Sequence, residues 1–87
     1  MNKIERVEAY KAFIAKDILT KWNGFVRVWS EPKSAVEGSG VVDEISEPVE
    51  VTVVEEQKGM YGSDVQRAKV KYGDKDGWVL YHMIEKA

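Results

Sequence analysis

Hydrophobic residues recur along the first quarter of the chain at Ile4, Val7, Tyr10, Ile14, Ile18 and Trp22, with Ala15 and Leu19 at the margin of the series. At 100° per residue these positions gather on one face, which predicts an amphipathic α-helix over residues 2–23. Asn2 and Glu5 stand at capping-box spacing, and Asp17 precedes Lys21 at the i,i+4 spacing of a favourable ion pair. Asn23-Gly24 supplies the stop, because both residues tolerate the left-handed conformation that ends helices. The period then changes to two. Phe25-Val26-Arg27-Val28-Trp29 alternates and is closed by Pro32, Val41 to Ser46 reads as a second strand, and Val49 to Glu55 as the strongest, with Val49, Val51 and Val53 facing inward. Val65–Tyr72 and Gly77–Tyr81 complete a set of five, joined by loops or turns at 33–40, 47–48, 57–63 and 73–76. Five short, closely spaced strands predict a small barrel.

Three ordered landmarks give this pattern a likeness. Val26-Arg27-Val28-Trp29-Ser30-Glu31-Pro32 is an alternating strand with a Ser-x-Pro exit, and Gly40-Val41-Val42 through Val54 pairs two central strands. Ala68 through Val79 forms a closing hairpin ending in Gly77-Trp78-Val79. The segment from Val26 to Ile84 thereby resembles the bacterial SH3 (SH3b) family. The resemblance implies a five-stranded SH3-like barrel over residues 25–84; with the helix read from the periodicity, which is not a usual part of that module, the expected fold is mainly β (α+β) in one domain spanning 1–87. It further implies a binding module, in some members for cell-wall peptide, with a short helical turn near Tyr81. Glu31, Trp29 and Arg67 depart from the residues usual at their positions, and these departures bear on the ligand rather than on the fold.

Composition narrows the function. The 87 residues carry 13 Lys and Arg against 15 Asp and Glu, a net charge of −2, and no cysteine. Disulfides, thiolate metal sites and a cysteine nucleophile are excluded. The charge balance argues against a sequence-independent nucleic-acid binder, which draws its affinity from clustered bases. No apolar stretch has the length of a signal or a membrane span, so a cytoplasmic location is expected. The charges are uneven: residues 34–57 hold seven acids and no base.

No catalytic constellation emerges, and neither a metal nor another cofactor is expected. His82 is the single histidine, without a nucleophile–base pattern around it. Asp74 and Asp76 brush against a calcium loop, but Trp78 and Val79 stand where an oxygen ligand and a glycine are required. The expected function is recognition of a protein or peptide through an aromatic rim of Trp29, Tyr61, Tyr72, Trp78 and Tyr81, with Glu31 in the specificity loop. The alternative is a small phage-type inhibitor or adaptor that docks on a basic protein through an acidic stripe containing Glu44, Glu47, Glu50 and Glu55. Cell-wall peptide binding is a second alternative. Phe13, on the polar side of the expected helix, hints at a weak homodimer through that element, against a monomer in which the helix covers the barrel.

Overall fold

The computed structural model describes residues 3–33, 36–59 and 64–87. Its strands are β1 (Lys3–Ile14), β2 (Val26–Trp29), β3 (Val41–Ile45), β4 (Val49–Lys58), β5 (Val65–Tyr72), β6 (Lys75–Leu80) and β7 (Glu85–Lys86). Helix α1 (Lys16–Lys21) links β1 to β2, and a 3-10 turn (Tyr81–Met83) precedes β7. All the described pairings are antiparallel, in one curled, barrel-like sheet of order β3-β2-β6-β5-β4-β1-β7.

The fold class expected from the sequence is therefore corrected. The helix over residues 2–23 is not formed, and the longest helix among the described residues is the six-residue α1. Residues 3–14 are instead a strand, paired with β4 on one side and β7 on the other. The physical reason lies in a break of register. Arg6 faces Glu55 and Tyr10 faces Val53, so Val7, Glu8 and Ala9 are matched by Val54 alone. Such a bulge resets the alternation of a strand. Glu5 before the bulge and Val7 at its first position are half-buried, and Tyr10, Ala12 and Ile14 turn inward after it. The inward residues Val7, Tyr10 and Ile14 consequently fall at i, i+3 and i+7, the spacing of a helix stripe. Ile4, assigned to that stripe, is 49% exposed.

The five expected strands sit close to their positions, because Val26/Val28 and Val51/Val53 alternate cleanly and are buried, but the sheet has seven strands, β1 and β7 lying outside the expected barrel over residues 25–84. The inner face joins these valines to Ala12, Ile14, Ala68, Val70 and Val79 in one cluster, and Ile18 and Leu19 of α1 close over it. Asn23 and Gly24 do end a helix. Asn23 has φ 61 and Gly24 φ 94, and the Gly24 N–H donates to Leu19 O at 2.7 Å, closing a Schellman turn that swings the chain from α1 into β2.

Two side-chain hydrogen bonds tie strands together, one between non-adjacent strands and one between neighbours. Tyr72 Oη donates to Asp43 Oδ2 at 2.7 Å and Lys75 Nζ reaches the same oxygen at 3.4 Å, tying β3 to the β5–β6 hairpin across β2. At the other side Tyr10 Oη donates to the buried Glu56 Oε2 at 2.5 Å. Gly77 allows the close approach of β2 to β6: a Cβ there would stand 2.4 Å from Val28 Cγ1 and 2.9 Å from the Trp29 carbonyl oxygen.

Candidate functional site: an aromatic groove beside β2

Alternation along β2 sends Val26 and Val28 into the core and Arg27 and Trp29 to the outer face. The Schellman turn at Asn23-Gly24 places Trp22 and Phe25 on either side of the corner, and Leu80 at the end of β6 and Met83 in the 3-10 turn complete the lining. Together with Asn23 these side chains line a groove of about 400 Å³. Its walls are apolar: Trp22, Phe25, Trp29, Leu80 and Met83.

The groove's polarity comes from few groups. Arg27 is the one charged residue among those lining it. Its guanidinium carbon lies 5.2 Å from the Phe25 ring centroid, and its Nε contacts Glu44 Oε2 at 3.4 Å. Lys21 does not pair with Asp17 as their spacing predicts, and its Nζ stands 6.0 Å from the Trp22 ring instead. His82 also packs against Trp22, with ring centroids 5.3 Å apart and planes inclined at 46°. Cation–ring approach of this kind holds the aromatic side chains in place at modest energy.

The expected rim is only partly assembled here. Trp29 lines the groove. Trp78 stands opposite Trp29 across the β2–β6 pairing, but it is 5% exposed and does not line it. Tyr72 is remote from the groove, engaged with Asp43. Burial, reinforced by that hydrogen bond, pushes its phenol well above the ordinary range, and the same bond holds Asp43 below the usual carboxylate value. Tyr81, half-buried against the core, lies near Tyr10, whose own phenol is driven upward by burial and by Glu56. Glu31 belongs to the neck of the β2–β3 connection, where its N–H donates to Ser39 Oγ at 3.2 Å and the Ser39 hydroxyl donates to Glu31 O at 3.0 Å. Tyr61 lies outside the described residues.

The connection is also latched to the sheet. The buried Gln57 donates from Nε2 to Pro32 O at 2.6 Å and accepts at Oε1 from Arg67 Nη1 at 3.0 Å. Arg67 thus has a local partner.

The acidic stripe is spread through the sheet. Glu44 lies on β3, whereas Glu50 and Glu55 lie on β4, with β2, β6 and β5 between them. Each faces a base on an adjacent strand: Glu44 with Arg27 at 3.4 Å, Glu50 with Lys11 at 3.5 Å, Glu55 with Lys69 at 3.6 Å. Glu47 is exposed in the β3–β4 turn. Among the described residues no group of three or more His, Asp or Glu could hold a metal ion, and no helix is long and apolar enough to cross a membrane.

Trp22, Phe25, Leu80 and Met83 were not singled out as groove residues by sequence reasoning. The signal for Phe25 was present, since it shares the parity of Arg27 and Trp29 opposite two core valines. Trp22 was hidden by its assignment to the buried face of a long helix. Comparison with protein-family models, with curated proteins and with solved structures gave no match.

Proposed function

We propose that the chain is a non-catalytic binding module that takes a protein or peptide segment in the groove between the α1–β2 corner and the 3-10 turn. The observation that carries this reading is the convergence of Trp22, Phe25, Trp29, Leu80 and Met83 from four separate elements and turns on one half-exposed concavity. Its volume falls in the range of ligand sites, roughly 300–1,000 Å³. Aromatic and methionine side chains with few polar neighbours are the composition of peptide-docking grooves, where Trp supplies wide contact at low entropic cost.

An SH3-like affiliation belongs to the same proposal. What supports it is the run β7-β1-β4-β5-β6 with a 3-10 turn before the last strand; β1, and not the expected Val26–Trp29, then opens the barrel, and the β2–β3 hairpin is inserted between β1 and β4. Gly77-Trp78-Val79 then has a structural basis: close approach of β2, outer-face packing and core.

The test is a peptide-display selection run in parallel on the wild-type protein and on Trp29→Ala, with thermal denaturation of both. Extended apolar sequences enriched on the wild type and lost on the folded variant are the expected result. Failure to enrich any sequence, or enrichment that survives Trp29→Ala, overturns the proposal.

A further inference from the structure

The charge around the groove is opposite in sign to that of the whole chain. The protein carries a net charge of −2, yet the lining contains no carboxylate, and its one charged member is Arg27. A second cation, Lys21, flanks the Trp22 wall and makes no ion pair among the described residues. Glu44 is the carboxylate paired with Arg27. That pair joins one guanidinium nitrogen at 3.4 Å between side chains 51% and 53% exposed, a geometry that a competing carboxylate can displace. A guanidinium beside aromatic rings offers its remaining N–H groups to a carboxylate while its flat face stays on the ring.

From these positions we infer that the groove selects an acidic partner: an extended peptide segment whose apolar side chains enter between Trp22, Phe25, Trp29 and Met83 and whose flanking Asp or Glu pairs with Arg27, with Lys21 in support. The inference rests on the groove being the binding site. Local charge complementarity acts chiefly through the choice of partner and the rate of encounter, and like-charged partners are rejected. A short aromatic surface with two bases could also stack single-stranded nucleic acid. A nucleic-acid backbone needs several clustered bases, whereas the single basic lining residue suits one flanking carboxylate and favours the peptide.

The experiment uses the full chain and three probes: a peptide with a Pro-Leu-Phe core and Asp/Glu flanks, the same core with Lys/Arg flanks, and oligo-dT of similar length. The indole N–H signals of Trp22 and Trp29 report on the groove, and that of buried Trp78 serves as internal reference. The acidic peptide is expected to move the first two signals and to bind about tenfold more tightly than the basic one, with the margin shrinking at high salt. Arg27→Gln should remove that margin, and Glu44→Gln, which frees Arg27, should widen it. Equal or tighter binding of the basic peptide, or tighter binding of oligo-dT, overturns the acidic assignment and leaves the groove as a site. If none of the probes moves Trp22 or Trp29, the groove reading falls with it.

Discussion

Gly77 carries the heaviest local constraint in the chain, since a methyl group there would meet both a core valine and the backbone of the neighbouring strand. Gly77→Ala should therefore push β2 away from β6 and cost about 1–3 kcal/mol in chemical denaturation. An unchanged midpoint would show that the two strands do not approach as described. Ile14, with no exposed surface, is a comparison of the ordinary kind, and Ile14→Ala should cost about 2–5 kcal/mol through the cavity it leaves. The tyrosines test a different force. The Tyr10 hydroxyl donates a hydrogen bond to the buried Glu56 carboxylate, and Tyr10→Phe leaves that carboxylate without its donor, at a cost of about 1–3 kcal/mol.

At the level of elements, the sequence was readable wherever one face of a strand met the core without interruption. Val26/Val28, Val51/Val53 and the Gly77-Trp78-Val79 triplet all announced their strands, and Asn23-Gly24 marked a helix stop, although the helix it closes is the short α1 (Lys16–Lys21) and not the expected one over residues 2–23. β1 was unreadable for a definite reason: a bulge of three residues against one turned a period of two into an apparent period near 3.6. Periodicity alone cannot separate a bulged strand from a helix, because both space their inward residues by three and four. The groove was half legible on the same grounds. Trp29 and the outer parity of β2 could be read, but the corner that brings Trp22 beside them exists only once α1 is short. Cross-strand nuclear Overhauser contacts between Tyr10 and Val53 and between Ala12 and Val51 should be seen in solution. Helical i,i+3 contacts through residues 3–14 in their place would contradict the strand.

For the whole molecule, ionisation sets the limits of stability on both sides. The Tyr72 hydroxyl lowers the Asp43 carboxyl below its ordinary 3.8, and the Lys58 ammonium lowers Glu5 below its ordinary 4.5. Both carboxylates therefore stabilise the fold fully above those values, and the contribution is lost as pH falls through the depressed folded values. Tyr10 and Tyr72 act in the opposite sense: burial raises both above their ordinary 10.0, so the unfolded chain ionises first and stability declines as pH rises beyond 10.0. A denaturation midpoint measured against pH should show a plateau between the two limbs. Tyr72→Phe should flatten the alkaline limb, and an alkaline limb unchanged in both Tyr→Phe variants would refute the assignment.

The same global arrangement separates two surfaces that aromatic content alone could not. Tyr72 and Tyr81 pack against the core without lining the groove, whereas Phe25 and Trp29 line it from β2 and its entry, and Met83 lines it from the 3-10 turn while also touching the core. The most direct measurement is the affinity of one display-selected peptide for the wild type and for Phe25→Ala, Met83→Ala, Tyr72→Phe and Tyr81→Phe. A loss of about tenfold or more in the first two variants, roughly 1.4 kcal/mol each, with affinity kept within about twofold in the two tyrosine variants, is the predicted outcome. Loss of binding in the tyrosine variants, with Phe25→Ala and Met83→Ala unaffected, would place the site elsewhere and contradict the account.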